Sequence, residues 1–486
     1  MTEASAAAAA PSGRVPKITQ ILYGFGSVAY GIKDNGFSTL LLLFYNQVVG
    51  LPAALVGLAI GIALVLDAFV DPVIGNVSDN IRTPWGRRHP FMYGCILPVM
   101  LGYLLLWYPP EGSDMMRFWY LLGIAFVVRV SISCFEIPAA TLVAELTPDY
   151  DERTALTAWR YFFGWIGGLV MSIFVYSVLL VKTPEYPIAM ANKDGFETYA
   201  FIASAIMGFS VLVAAVATHK YIPSMPRQKD HGETIWQSFG AIFYIFRNKA
   251  FGIILLGGVF AYTIQGIGFA LFPYLYGYYW GFEQWQTSLY LFLLIFAATI
   301  ASAIAPAASR WLGKRSAVVR FTAASAILNS LPYFLSWFGL FPERGSPYLM
   351  PILFTLVSLA TASNIVGFIV GASIMADVVE DSEEKTGRRS EGLFFAGNFF
   401  MQKCTTGIGL SVAGVILAMV GFPEHADPAT LGQDVRDRLA ITHAVLVLTI
   451  GLASALVMSF HPHSREAHEE RLARLAQGSA EKALQP

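Results

Sequence analysis

The sequence predicts an all-α protein that crosses a membrane about twelve times, in two bundles of six helices. Three observations predict this. The 486 residues are 55% hydrophobic and only 13% charged, roughly half the charge of an ordinary soluble domain, and mean hydropathy is +0.56. Apolar runs of about 20 residues or more, the length a helix needs to span the hydrocarbon core, recur about twelve times. The longest charged break, Tyr221 to Arg247, falls near the midpoint and divides the runs six and six.

The runs cover roughly 20–48, 53–78, 91–109, 116–143, 157–181, 198–220, 250–279, 286–309, 318–340, 347–376, 392–421 and 439–460. They set five units: a leader (1–17), a first bundle (18–221), a linker (222–248), a second bundle (249–462) and a tail (463–486). The leader is Ala-rich and has no apolar core of a signal peptide, so it is expected to be disordered rather than cleaved. Residues 234–246 of the linker suit a helix lying along the membrane surface. The tail, with Arg465, Glu469, Glu470, Arg471 and Arg474, reads as a polar helix or a frayed end.

Orientation follows from Lys and Arg in short loops. Arg82, Arg87 and Arg88 follow segment two; Arg227, Lys229, Arg247 and Lys249 follow segment six. Arg310, Lys314 and Arg315 follow segment eight, and Lys385, Arg388 and Arg389 follow segment ten. Loops after odd-numbered segments carry few basic residues; after segment eleven, Arg436 and Arg438 are outweighed by acids. Both termini are therefore expected in the cytoplasm, with the chain in the plasma (inner) membrane. Basic loops after segments two and eight occupy corresponding places in the two halves, a weak echo of duplication.

Net charge is −1, which gives no electrostatic case for nucleic acid. Cys95, Cys134 and Cys404 lie in apolar runs without ligand spacing and read as small packing residues. Phosphate-loop, zinc-protease and serine-hydrolase signatures are absent from the sequence, so ATP-driven transport and hydrolysis lack their usual marks and no enzyme is expected. No cofactor is expected beyond a coupling ion, and a monomer is the expected state.

The informative stretch is Leu66-Asp67-Ala68-Phe69-Val70-Asp71-Pro72-Val73-Ile74-Gly75. Asp67 and Asp71, four apart, stack on one helix face inside a long apolar run. Carboxylates at that depth are costly and usually mark an ion or proton site. The competing reading is a pair of helix-end carboxylates solvated by a vestibule, or a packing ion pair. Pro72 cannot donate a backbone hydrogen bond, which frees the Ala68 carbonyl beside the pair.

Further charges interrupt apolar runs: Lys33 and Asp34 in segment one, Arg129 and Glu136 in segment four, Arg160 in segment five and Lys403 in segment eleven. Four cations can balance Asp34, Asp67, Asp71 and Glu136, and burying any of them unpaired would be expensive. A network that only fixes helix packing is the alternative, above all for Arg129, which could pair with Asp34 or Glu136. Asp79 with Gly86, Arg87 and Arg88 sits at a cytoplasmic helix end and reads as a conformational latch. Asp377, Glu380 and Asp381 end segment ten, within reach of loop basics. Tyr274, Tyr276, Tyr278, Tyr279 and Trp280 read as an interfacial aromatic belt. Asn364 and Asn398 suit hydrogen bonds either between helices or to a substrate.

Five stretches make the chain resemble the glycoside-pentoside-hexuronide:cation symporter family, the melibiose-permease relatives of the major facilitator superfamily. They are Tyr23-Gly24-Phe25-Gly26; Asp67-Ala68-x-x-Asp71-Pro72-x-x-Gly75; Trp85-Gly86-Arg87-Arg88-x-Pro90; Glu136-Ile137-Pro138; and Arg388-x-Ser390-Glu391-Gly392 leading to Gln402-Lys403. The resemblance spans roughly Ile18 to His461 and implies the major facilitator fold. It places the coupling-cation carboxylates at Asp67 and Asp71, which would also be the metal ligands if the ion is Na+. A helping hydroxyl falls at Ser133, a cation- and substrate-linked carboxylate at Glu136, a sugar-contacting Arg at Arg160 and the cation-site Lys at Lys403.

The chain departs from that family at three points. Gly31 stands where melibiose-type members carry a sugar-binding Asp, with Asp34 about one turn later. Ala139 and Ala140 stand where they carry a stacking aromatic, and Val70 where an Asn often precedes the second carboxylate. The first two loosen the tie to any one sugar; the third favours a proton over Na+. The implied function is symport of a sugar, glycoside or hexuronide with H+ or Na+ by alternating access. Asp34, Arg129, Glu136 and Arg160 are the expected substrate-binding set. The alternatives are a carrier of a lysophospholipid or other amphiphile, since the family includes a lysolipid-transporting branch, and a non-transporting receptor or scaffold.

Overall fold

A computed structural model describes residues 14–224, 240, 245, 246, 248–386 and 391–462. The leader up to residue 13, most of the linker with its surface helix, Arg388 and Arg389, and the tail from residue 463 lie outside the described residues, as does the side chain of Glu380. All regular structure among the described residues is helical. Among the described residues, eleven helices are long and apolar enough to cross a membrane, and segment one, in shorter pieces, makes the twelfth.

Segment one is interrupted where the sequence predicts a continuous run. It comprises Lys17–Phe25, Val28–Asn35, a π turn Gly36–Leu40, Leu41–Leu43 and a second π turn Phe44–Val48. The segment packs closely against segment five. A Cβ at Gly31 would lie 1.9 Å from the Gly164 carbonyl oxygen, so only glycine lets the two backbones approach that closely.

Segment two is Ala53–Asn80, and segment three is nicked into His89–Gly94 and Ile96–Leu106. Segment four is Asp114–Leu146, segment five Tyr150–Phe174 with a π turn Val175–Leu179, and segment six Lys193–His219. In the second half, segment seven is Lys249–Pro273 followed by the π turn Tyr274–Tyr279. Segments eight to twelve are Gln284–Leu312, Lys314–Trp337, Leu349–Thr386, Glu391–Met419 and Gln433–Ser459. Segments one, five and seven thus all end in π turns. Ser113, Asp149, Asn192 and Asn248 cap segments four, five, six and seven by accepting backbone N–H groups of the first turn.

The halves meet chiefly along segments two and eleven, with segment seven packed on segment eleven and segment four on segment two. The seam is made by small residues: Ser411 Oγ donates to the Gly57 carbonyl (3.0 Å). A Cβ at Gly61 would lie 2.7 Å from the Gly407 carbonyl and closer still to Ser411 Oγ. Close approach of small residues is how helices associate where lipid offers no hydrophobic drive.

The two halves are also tied at the end of the bundle opposite residues 14 and 462. Tyr274 Oη donates to Asn46 Oδ1 (3.1 Å) and Tyr278 Oη to Gln47 Oε1 (3.3 Å). Gln47 Nε2 donates to the Pro423 carbonyl (3.0 Å), and the Ala426 N–H donates to Gln47 Oε1 (2.7 Å). His425, a non-glycine residue with positive φ (52°), donates Nδ1–H to the Gln47 carbonyl (2.9 Å). Tyr274, Tyr276, Tyr278 and Trp280 are buried. Tyr274 and Tyr278 therefore pack between the halves, Tyr276 and Trp280 pack within the second half on Tyr290, Phe354, Tyr333 and Phe341, and the expected lipid-facing belt is corrected for these four. Composition places aromatics at an interface but does not distinguish lipid from a partner helix.

Gly61→Val should overpack the seam between segments two and eleven, at about 1–3 kcal/mol. Thermal unfolding of the detergent-solubilised protein should show a clear drop in midpoint. Gly123→Ala, where a Cβ meets nothing within 4 Å, should shift it little.

Candidate coupling and substrate site

Segment two continues as helix through Pro72, which keeps Asp67 and Asp71 one turn apart on one face. Segment four presents a matching rung, because Arg129 and Ser133 are also four apart. Arg129 Nε donates to Asp67 Oδ2 (3.2 Å). Ser133 Oγ lies 3.0 Å from Asp67 Oδ1 and 2.7 Å from Asp71 Oδ1. From segment eleven, Lys403 Nζ donates to Asp67 Oδ2 (2.9 Å) and also binds Asp71 Oδ2. Two cations thus meet two carboxylates, and the cluster is neutral as drawn. Asp67 and Arg129 are almost fully buried, whereas the side chains of Asp71 and Lys403 keep about a quarter of their surface accessible. Only the second carboxylate and its lysine have an open side.

Arg129 therefore stands in the carboxylate cluster. The sequence reading offered Asp34 or Glu136 as its partner and placed it with the substrate residues. Seven residues put Arg129 and Glu136 on nearly one face but about 10 Å apart along the axis, so their side chains reach different levels of the bundle.

Glu136 pairs instead with Arg160 of segment five: Nη2 donates to Oε2 at 2.5 Å and to the Glu136 backbone carbonyl at 3.4 Å. Its other carboxylate oxygen, Oε1, is buried and has no hydrogen-bond partner among the described residues. Tyr23 donates its hydroxyl to the Ala139 carbonyl, and its ring centroid lies 6.0 Å from the Arg160 guanidinium carbon. Tyr23 belongs to the Tyr-Gly-Phe-Gly stretch of segment one, yet its own role was not read from the sequence.

Lys33 is buried, 3.7 Å from Asp34, with its ammonium 4.3 Å from the ring centroid of Tyr30. Tyr30 lies within electrostatic reach of Asp34, Glu136, Arg129 and Asp67, which sets segment one between the two groups of charges. The sequence reading missed Tyr30 as well. Its spacing of seven from Tyr23 puts both on one face, and that was the available signal.

At the end that carries the termini, Arg88 is buried and binds Asp79, with Nη1 donating to Ser78 Oγ (2.8 Å) and Nε to Glu145 Oε1 (3.0 Å). Arg87 Nη2 donates to the same Glu145 oxygen (2.7 Å). Gly86 turns the loop with φ +73°, a region that favours glycine. Arg87 and Arg88, read from the sequence together with Asp79 and Gly86 as a latch, thus both pair with Glu145 of segment four, an acid the sequence reading did not single out. The second half repeats the pattern: Lys314 at the start of segment nine donates to both Asp377 oxygens at 2.7 Å. Cys95, Cys134 and Cys404 are free thiols.

Comparison with known proteins agrees with this architecture. The family model described as MFS/sugar transport protein matches residues 22–465. An uncharacterized symporter of Synechocystis sp. is 28% identical, with 93% of this chain and 95% of that protein covered. The isoprimeverose transporter of Lactiplantibacillus pentosus is 24% identical over 85% of this chain and 83% of its own. Among solved structures, a D-xylose-proton symporter superposes with a TM-score of 0.63 at 11% identity, over 92% of this chain and 97% of that one. At that identity the likeness shows the fold alone. With the family model spanning nearly the whole chain, the protein belongs to the MFS/sugar transport family and is a multi-pass integral membrane transporter.

Proposed function

We propose that this protein moves a sugar or glycoside together with a proton, by alternating access around the charged residues of segments one, two, four, five and eleven. The family and the names of the relatives supply the transport class. The residue roles rest on the geometry.

One observation carries the choice of ion. Asp67 Oδ1 and Asp71 Oδ1 both lie within hydrogen-bond distance of Ser133 Oγ, and a serine hydroxyl has a single hydrogen to donate. Ser133 can therefore serve only one of the two carboxylate oxygens at a time. A proton on Asp71 Oδ1 satisfies the whole set: Asp71 donates to Ser133 Oγ, and Ser133 donates to Asp67 Oδ1.

A sodium ion fits these residues poorly. It would need several oxygen ligands, yet Asp67 Oδ2 already accepts from Arg129 and Lys403, and Asp71 Oδ2 from Lys403. Only Asp67 Oδ1, Asp71 Oδ1 and Ser133 Oγ are left to hold it, with two fixed cations on the other oxygens of the same carboxylates opposing a further positive charge. The Na+ alternative, with Asp67 and Asp71 as metal ligands, is accordingly set aside here in favour of H+.

In this reading Arg129 holds Asp67 permanently ionised and Asp71 is the carboxylate that cycles. Protonation reduces the grip of Lys403 from two carboxylates to one, which alters the contact between the halves at segments two and eleven. Segment four transmits the change, since Ser133 lies less than one turn from Glu136. Substrate at Glu136 and Arg160 and proton at Asp71 then raise each other's affinity, as linkage requires. Asp34 and Tyr30 face the same region and contribute to substrate contact. The hydrogen bonds of Gln47 close the outer end, and the Arg87/Arg88–Glu145 latch works at the cytoplasmic end together with the termini.

Asp71→Asn should abolish uphill, pH-gradient-driven uptake into proteoliposomes, with downhill exchange reduced less. An unchanged gradient response would remove Asp71 from the coupling role. Arg129→Ala should leave Asp67 short of a partner and destabilise the protein by about 3–5 kcal/mol. The double variant Arg129→Ala/Asp67→Ala should recover part of that loss in chemical unfolding. Additive effects would mean that the two side chains do not form a coupled pair.

A further inference from the structure

The pairing of charges also bears on the charge of the substrate, an inference that rests on the sugar-transport reading above. Each of the four cations that interrupt the apolar runs of segments one, four, five and eleven has a carboxylate partner: Lys33 with Asp34, Arg129 with Asp67, Arg160 with Glu136, and Lys403 with Asp67 and Asp71. These groups sum to zero. An anionic substrate needs a cation that is free or can be freed cheaply. Taking Arg160 from Glu136 would leave a largely buried carboxylate without its counter-ion, which is among the costliest changes a buried site can undergo.

Glu136 Oε1 points the other way. It is a buried acceptor with no donor, and a group in that condition gains from any hydroxyl or N–H brought to it. A carboxylate or phosphate on the substrate brings no hydrogen to that oxygen and adds like-charge repulsion. A neutral polyol brings a hydroxyl without the repelling charge and leaves the Arg160–Glu136 pair intact.

We propose that the substrate is an uncharged, hydroxyl-bearing sugar or glycoside that donates to Glu136 Oε1. Glu136, by neutralising Arg160, is then the residue that excludes uronides and phosphate-bearing amphiphiles. The distinction is one of specificity. Without Glu136 the Arg160 guanidinium becomes an open anion site, since a guanidinium presents a planar fork that matches a carboxylate.

The test is equilibrium binding to the purified, detergent-solubilised full chain at constant pH and ionic strength. The probes are matched pairs that differ only at C6, methyl glucoside against methyl glucuronide and methyl galactoside against methyl galacturonide, with lysophosphatidic acid alongside. The wild-type protein should bind the neutral member of at least one pair tenfold or more tighter than its uronide, and should not bind the lysolipid. Glu136→Gln should move that ratio at least tenfold toward the uronide, whereas Glu136→Asp should keep the neutral preference. A uronide or lysolipid that binds the wild type as well as the neutral glycoside overturns the charge inference. An unchanged ratio in a folded Glu136→Gln protein removes Glu136 as its cause. In the first case a binding uronide still leaves sugar transport standing. If no sugar of either charge binds folded wild-type protein, the sugar reading falls and the charge inference falls with it.

Discussion

The bond between Lys403 and the two carboxylates of segment two joins the halves of this molecule deep inside the bundle. One ammonium from segment eleven neutralises Asp67 and Asp71 at once, so each half is electrically incomplete without the other at this level. The cost of leaving charge unpaired in a low-dielectric interior makes the arrangement obligatory. It also makes it switchable, because any ligand that neutralises Asp71 removes part of the attraction.

Other features keep that switch in place. The small-residue seam of Gly57, Gly61, Gly407 and Ser411 holds segments two and eleven close enough for Lys403 to reach. Arg129 binds Asp67, Asp71 keeps an open side, and Ser133 joins both to the segment that carries Glu136. Farther out, Gln47 and its partners clamp one end of the bundle, while Arg87 and Arg88 on Glu145 brace the other. Both sets are polar contacts, with the strength and directionality that a reversible closure needs.

Much of this was legible in the sequence, for physical reasons. Apolar run length and the midpoint break give the segment count and the two bundles, because the bilayer imposes both. Asp67, Asp71 and Lys403 stand out because charge in an apolar run demands a partner. What stayed hidden was which charge meets which. Arg129 and Glu136 share a helix face, but depth along the axis sends one to Asp67 and the other to Arg160. Periodicity reports direction and says nothing of the level at which a neighbouring helix presents its own side chain. The buried tyrosines of segment seven were misread for a related reason, since an aromatic against lipid and one against a partner helix look alike in a string of letters. The π turns of segment one leave the apolar run unchanged and so give no signal.

The central claim is that a proton at the carboxylate pair drives movement of the substrate. The most direct measurement is the current evoked by a transported, neutral sugar on proteoliposomes adsorbed to a solid-supported membrane, in buffers free of Na+. Co-movement of a proton with an uncharged sugar must displace charge. The account predicts a current without Na+ that is lost in Asp71→Asn while sugar binding persists. A current that appears only when Na+ is supplied, or one that survives in Asp71→Asn, would contradict it.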